Sequence, residues 1–121
     1  MTRILLIDDD DSFRAMLATT LTKLGHTVCE ATDGNAGILA MRTFTAELVI
    51  TDLIMPDKEG LETIIEMRRI DPTLRIIAMS GGGRGSAEDY LDFAKILGAR
   101  AVLQKPFARE KLEEAIRGVL K

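Results

Sequence analysis

The sequence predicts an α/β fold: a doubly wound, five-stranded parallel sheet with helices on both faces. Five short apolar segments alternate with longer segments in which apolar residues recur at spacings of three and four, the helical period. Gly25, Pro72 and Gly98 follow three of the longer segments, where helices commonly end. The connections are short, which favours right-handed crossovers between parallel strands. Five units suit an open sheet better than an eight-unit barrel.

The first two βα units are identified from apolar spacing and helix signals. Residues 3–8 form an apolar run that ends in acid, which suits a strand buried on both faces. Residues 27–31 form the second strand, and Asp33 is expected to cap a helix that continues to about Phe44. The apolar stripe of the first helix, which begins at Asp11, consists of Phe13, Met16, Leu17, Leu21 and Leu24.

The remaining three units repeat the pattern. Strands are predicted over residues 48–52, 75–79 and 101–104. Helices are predicted over residues 61–70 and 86–97, and a last helix carries the apolar stripe Leu112, Ala115, Ile116, Val119 and Leu120. Ser86 with Asp89 three residues later resembles a capping box. The glycine-rich segment over residues 80–85 is expected to be a loop.

Composition restricts the class of protein. The chain has 121 residues, 46% of them apolar and 29% charged, which suits one compact domain over residues 1–121. No apolar run is long enough to cross a bilayer, and no export signal precedes the first strand. A single cysteine, Cys29, cannot form an internal disulfide. These features lead us to expect a cytoplasmic protein without a membrane partner. The net charge of −3 with scattered basic residues argues against a nucleic-acid partner.

Polar side chains recur where the predicted strands end. In open parallel sheets, ligands bind outside the carboxyl ends of the strands, near the point where strand order reverses. An isolated acidic run such as Asp8 to Asp11 is usually a solvated loop, and Asp10 or Asp11 is still expected to cap the first helix. Four strand ends nevertheless carry candidate site residues, which are Asp8 with Asp9, Asp52, Ser80 and Lys105.

The chemistry of these residues suits a metal ion and a phosphoryl group. Carboxylates that converge at one edge repel one another, and a divalent cation offsets that repulsion. Hard oxygen ligands favour Mg²⁺ or Mn²⁺ over softer metals. The ammonium of Lys105 and the hydroxyl of Ser80 supply the positive charge and the hydrogen-bond donor that phosphoryl oxygens require.

The ordered set resembles a known family. Its parts are Asp8-Asp9, Asp52 followed by Met55-Pro56, Ser80-Gly81 and Lys105-Pro106-Phe107. This set resembles the receiver domain of response regulators in two-component signal transduction, of the single-domain chemotaxis-regulator type, over essentially the whole chain. The resemblance implies a flavodoxin-like (βα)5 fold with strand order 2-1-3-4-5.

The resemblance also implies roles for the candidate residues. Asp52 would accept a phosphoryl group from a phosphohistidine on a sensor histidine kinase or a histidine phosphotransfer protein. Asp9, Asp52 and the backbone carbonyl of Ile54 would hold Mg²⁺, and Asp8 would reach the ion through water. In the phosphorylated state, Lys105 and Ser80 would contact the phosphoryl group and favour an active conformation.

Signalling by such a domain depends on a protein partner. The resemblance implies a phosphoacceptor module without its own output domain, and not an enzyme that acts on a separate substrate. Many members place an aromatic residue three positions before the Lys-Pro pair, where this chain has Val102. A downstream protein target is expected to bind the helix Ser86–Leu97, the fifth strand and the last helix. Apolar residues including Tyr90 and Phe93 spread around more than one face of that helix.

Two alternatives remain open at this point. Asp8, Asp10 and Ser12 also resemble the nucleophile motif of Mg²⁺-dependent phosphohydrolases of the haloacid dehalogenase type. In that interpretation Asp8 is phosphorylated, and Asp52 has no role. The other alternative is a receiver-fold interaction module that is never phosphorylated, against which the intact set of site residues argues.

Overall fold

The computed structural model describes residues 2–53, 60–81, 92 and 94–121. The five strands are β1 (Arg3–Ile7), β2 (Thr27–Ala31), β3 (Leu48–Asp52), β4 (Arg75–Ser80) and β5 (Ala101–Gln104). The helices are α1 (Asp11–Lys23), α2 (Gly34–Ala40), α3 (Gly60–Ile70) and α4 (Arg109–Leu120), and residues 94–97 are also helical. Most of the helix predicted over residues 86–97 lies outside the described residues. No helix in the described part of the chain is long and apolar enough to span a bilayer.

The strands form one parallel sheet in the order β2-β1-β3-β4-β5, which confirms the predicted topology. Strand order reverses at β1, whose two neighbours are β2 and β3. Because all strands run in one direction, their carboxyl ends share one edge of the sheet. That edge is where the sequence places its candidate site.

Two apolar layers cover the sheet, because alternate residues of each buried strand face opposite sides. One layer is built on Leu5, Ile7 and Val49 together with α3 residues such as Ile64 and Met67. The other layer is built on Ile4, Leu6 and Ile50 together with residues of α1 and α4, including Leu17, Leu21, Leu112 and Ile116. β1 is therefore buried on both faces, as predicted from residues 3–8, and the polar residues of the central strands lie at or near the strand ends.

The helix caps agree with the sequence, whereas one helix end does not. The Asp10 carboxylate accepts a hydrogen bond from Phe13 N at 3.0 Å, and the Asp33 carboxylate accepts one from Ala36 N at 2.8 Å. The prediction that the second helix continues to about Phe44 is wrong, since α2 ends at Ala40. Turns follow, and the guanidinium of Arg3 lies 4.3 Å from the centre of the Phe44 ring. This cross-element contact is not encoded in local periodicity.

The start of α3 is packed directly on the end of β3. The backbone N–H of Gly60 donates to the carbonyl oxygen of Leu53 at 2.8 Å. A Cβ atom at Gly60 would overlap the Cα of Leu53 and the carbonyl oxygen of Asp52. Only glycine fits this approach without a backbone shift. The helix thereby holds the end of β3 that carries Asp52.

Candidate functional site

The structure brings the predicted site residues together at the carboxyl edge of the sheet. Asp8 directly follows β1, Asp52 and Ser80 end β3 and β4, and Lys105 directly follows β5. Asp8 and Ser80 are fully buried and Asp52 is 6% exposed, whereas Asp9 is exposed. Buried polar side chains are unusual in a sheet of this kind, because each loses its contacts with water. Their clustering therefore marks this edge as the candidate site.

Three carboxylates form a cluster that could hold a metal ion. Asp8, Asp9 and Asp52 each offer an oxygen atom, and these atoms lie within 4.8 Å of one another. The cluster consists of hard oxygen donors, which suit Mg²⁺. Ile54, whose carbonyl was predicted to complete the ligand set, lies outside the described residues.

Lys105 provides a cation within this cluster. Its Nζ lies 2.7 Å from Oδ2 of Asp8 and 3.6 Å from Oδ1 of Asp52. The ammonium also lies 4.2 Å from the centre of the Phe13 ring, which meets Phe107 edge to face at 5.9 Å between ring centres. The peptide bond between Lys105 and Pro106 is cis. Sequence reasoning found the lysine, but it did not find the aromatic pair beside it.

The Ser80 side chain differs from its backbone in how it is hydrogen-bonded. Its Oγ is buried and has no hydrogen-bond partner within the described part of the chain. The Ser80 carbonyl oxygen, in contrast, accepts a hydrogen bond from Lys105 N at 2.8 Å, so the two residues are held side by side. A buried hydroxyl without a partner is energetically costly, and an oxygen-rich ligand would relieve that cost.

The carboxyl group of Asp52 lies in an environment that disfavours its charge. Burial raises the pKa of Asp52 to about 6, and the carboxylates of Asp8 and Asp9 act in the same direction. The ammonium of Lys105 and the backbone N–H of Leu53 act in the opposite direction but do not outweigh burial. Additional positive charge at this position would favour the ionised, nucleophilic form.

Arg14 completes the surroundings of Asp8, and sequence reasoning did not identify it. Its Nη1 donates to the Asp8 carbonyl oxygen at 2.7 Å. The same guanidinium forms ion pairs with Asp11 at 2.8 Å and with Glu30 at 3.1 Å. A signal was present, since Arg14 follows Asp11 at a helical spacing of three residues, but the contacts with Asp8 and Glu30 depend on the tertiary fold.

Comparisons with known proteins decide the family. The profile of the response regulator receiver domain matches residues 4–117. The chain belongs to the response regulator receiver family. Receiver domains are signalling modules of two-component systems and not classical enzymes. The match confirms the predicted family, and the strand order together with the similar solved structures confirms the predicted fold class.

Relatives of this receiver include both single-domain and longer proteins. It is 32% identical to the chemotaxis protein CheY of Thermotoga maritima over 120 residues, which cover 98% of both chains. It is 36% identical to the DNA-binding transcriptional regulator NtrC of Azospirillum brasilense, covering 97% of this chain and 24% of that protein. A CheY-like receiver domain protein from Methanospirillum hungatei has a TM-score of 0.88 at 27% identity, covering 98% of this chain and 92% of that one.

Part of the predicted output surface can be located in this receiver. Val102, which occupies the position of the expected aromatic residue, is partly buried and packs against the α3 side of the core. Ile96, in the helical segment over residues 94–97, is 78% exposed. Tyr90 and Phe93 lie outside the described residues.

Proposed function

We propose that this receiver takes up a phosphoryl group on Asp52 and passes on the signal by a change of conformation. The observation that carries the proposal is the placement of the buried Asp52 carboxyl group beside an acidic pair, an ammonium and a hydroxyl without a partner among the described residues. These are the groups that a reactive carboxylate and an incoming phosphoryl group require.

The acidic cluster is proposed to hold Mg²⁺. Asp9 and Asp52 would be direct ligands together with the carbonyl of Ile54, and Asp8 would contact the ion through water. Asp8 suits such an outer role because its Oδ1 and Oδ2 already accept hydrogen bonds from Asp10 N and Lys105 Nζ, at 3.0 and 2.7 Å. When bound, the metal supplies positive charge that offsets the charge on Asp52 and on the transferring oxygens.

The proposed reaction is a transfer between two side chains. A carboxylate oxygen of Asp52 attacks the phosphorus of a phosphohistidine on a histidine kinase or a histidine phosphotransfer protein. A phosphorus–oxygen bond forms while the phosphorus–nitrogen bond breaks, and the histidine nitrogen keeps the electron pair. Lys105, now 3.6 Å from Asp52, is close enough to pair with the transferred group. The protein contributes mainly positioning and charge.

The proposed output depends on Ser80 and Lys105. Both residues gain a contact in the phosphorylated state that they lack beforehand, so phosphorylation shifts the equilibrium toward a second conformation. Val102 cannot supply an aromatic rotamer change, because its side chain is small and aliphatic. A downstream protein is proposed to bind the helix Ser86–Leu97, β5 and α4 in that second conformation.

Treatment with acetyl phosphate and Mg²⁺ tests the proposal. Intact mass spectrometry should show one added phosphoryl group, and peptide mapping after borohydride reduction should place it on Asp52. Asp52→Asn should abolish the uptake, whereas Asp92→Asn, a change at an exposed residue, should leave it intact. No uptake by the wild type, or label on another residue, would contradict the proposal.

The same experiment addresses both alternatives. Label on Asp8 would favour the phosphohydrolase interpretation, although Asp10, its proposed acid and base, caps α1 in this structure. A receiver that neither takes up a phosphoryl group nor binds beryllofluoride with Mg²⁺ would be a non-phosphorylated interaction module. Partner capture by wild type and Asp52→Asn, each with and without beryllofluoride, would then identify proteins that recognise the phosphorylated state.

A further inference from the structure

Arg14 joins several parts of the fold next to the candidate site. The side chain of this charged residue is only 13% exposed. Its contacts reach three separate places, namely the carbonyl after β1, the first turn of α1 and the penultimate residue of β2. The rigid fork of a guanidinium can satisfy several acceptors in fixed directions, which a lysine ammonium cannot do as well.

The contact with Asp8 fixes more than one residue. The Asp8 carbonyl and the Asp9 N–H belong to one planar peptide group, so holding the carbonyl oxygen fixes the orientation of the bond between the two residues. On the other side of Asp8, its N–H donates to the Ala31 carbonyl of β2 at 3.1 Å. The backbone of Asp8 is thus held from both sides, and this sets where the side chains of Asp8 and Asp9 point.

The charge of Arg14 argues for a positioning role and against an electrostatic one. A cation beside three carboxylates lowers their attraction for a divalent ion. If charge were its main effect, Arg14 would weaken the metal site. Its ion pairs, however, are with Asp11 and Glu30, which do not belong to the carboxylate cluster. These pairs offset its charge and anchor the guanidinium, while its remaining contact holds the Asp8 carbonyl.

We infer that Arg14 is a positioning residue that orients the Asp8–Asp9 peptide and thereby sets the Mg²⁺ affinity of the site. The inference rests on the proposed function, since it assumes that Asp8 and Asp9 serve a metal ion. It assigns no contact between Arg14 and the phosphoryl group. Loss of a residue that orients metal ligands from outside the ligand set commonly weakens metal binding by about tenfold or more.

Calorimetric titration of the full chain with MgCl₂, without any phosphodonor, tests the inference. Arg14→Gln should weaken Mg²⁺ binding about tenfold, and Arg14→Lys should give an affinity between that variant and the wild type. The matched control is Arg109→Gln, which removes a cation and its ion pair to Glu113 on α4 and should leave Mg²⁺ affinity unchanged. Circular dichroism verifies that each variant is folded before titration.

The direction of the change separates positioning from the other effects. An electrostatic role predicts tighter Mg²⁺ binding by Arg14→Gln and wild-type affinity for Arg14→Lys. A purely structural role predicts a lower free energy of unfolding with unchanged Mg²⁺ affinity of the folded protein. Either result would overturn the inference, and if Arg14→Gln does not fold, wild-type affinity of Arg14→Lys overturns it.

The wild-type titration distinguishes this inference from the proposal on which it rests. If the wild type does not bind Mg²⁺, this result contradicts both the proposed function and the role of Arg14. A wild type that binds Mg²⁺ and takes up a phosphoryl group, together with Arg14 variants of unchanged affinity, would remove the role of Arg14 alone.

Discussion

The middle of the sheet and its carboxyl edge are both buried, but they bury different chemistry. The middle is lined by aliphatic residues such as Ile50 and Ile77, and its backbone groups are paired in the strand ladders. The edge buries the carboxyl groups of Asp8 and Asp52, with Lys105 as a shared cation, and the hydroxyl of Ser80. The middle is stabilised by its own contacts, whereas the edge leaves a cost that a metal and a phosphoryl group can relieve.

A cavity in the middle of the sheet should lower the free energy of unfolding by a large amount that does not depend on Mg²⁺. Ile50→Ala should lower the free energy of unfolding by about 2–5 kcal/mol, because it leaves a cavity in a fully buried layer. The loss should be the same in Mg²⁺ and in chelator. Denaturant titration measures this loss. A loss that depends on Mg²⁺ would show that the middle of the sheet and its edge are energetically coupled.

Removal of the edge cation should have a smaller effect that Mg²⁺ partly reverses. Lys105→Met leaves the buried Asp8 carboxylate without its 2.7 Å partner and should cost about 3 kcal/mol in chelator at neutral pH. Saturating Mg²⁺ should reduce this cost, since the ion replaces the missing charge. Lys111→Met, at an exposed residue of α4, is the control and should cost little in either condition. An equal cost with and without Mg²⁺ would show that the ion does not replace the charge of Lys105.

Asp52→Asn should stabilise the fold in chelator. The pKa of Asp52 is raised from 3.8 to about 6, so the folded state binds its proton more tightly than the unfolded state does. The contribution of Asp52 to the free energy of unfolding is therefore fully present below pH 3.8 and is lost as the pH rises through about 6. The variant should gain on the order of 2 kcal/mol near neutral pH, and this gain should vanish as the pH falls from about 6 to below 4. A gain that does not depend on pH would contradict the buried charge as its cause.

The smallest effect is expected at the Ser80 hydroxyl. Ser80→Ala should raise the free energy of unfolding slightly, by at most about 1 kcal/mol, since it removes a buried Oγ that has no partner among the described residues. Thr51→Val should cost about 1 kcal/mol, because Thr51 Oγ1 donates to the Asp52 carbonyl at 3.0 Å. Ser80→Ala should nevertheless weaken beryllofluoride binding. A cost at Ser80 equal to that at Thr51 would show that its hydroxyl already has a partner.

Much of the fold and of the candidate site could be predicted from the sequence. Apolar runs of strand length, helical spacing and helix signals such as Asp33 and Gly98 depend on residues close together in the chain. Parallel topology then requires the strand ends to meet at one edge, so the sequence alone was enough to group Asp8, Asp52 and Lys105. The end of α2 at Ala40 was missed because apolar spacing continues to Phe44, whereas the chain forms turns after Ala40.

The sequence by itself determined the order of elements, the strand ends that carry polar residues and the kind of chemistry they support. Only the tertiary structure decided how those residues are paired. Lys105 meets Asp8 across 97 residues, Phe13 lies under the same ammonium, and Arg14 holds the peptide between Asp8 and Asp9. Element type follows from neighbours along the chain, whereas pairing depends on side-chain directions that are fixed only when the elements pack together.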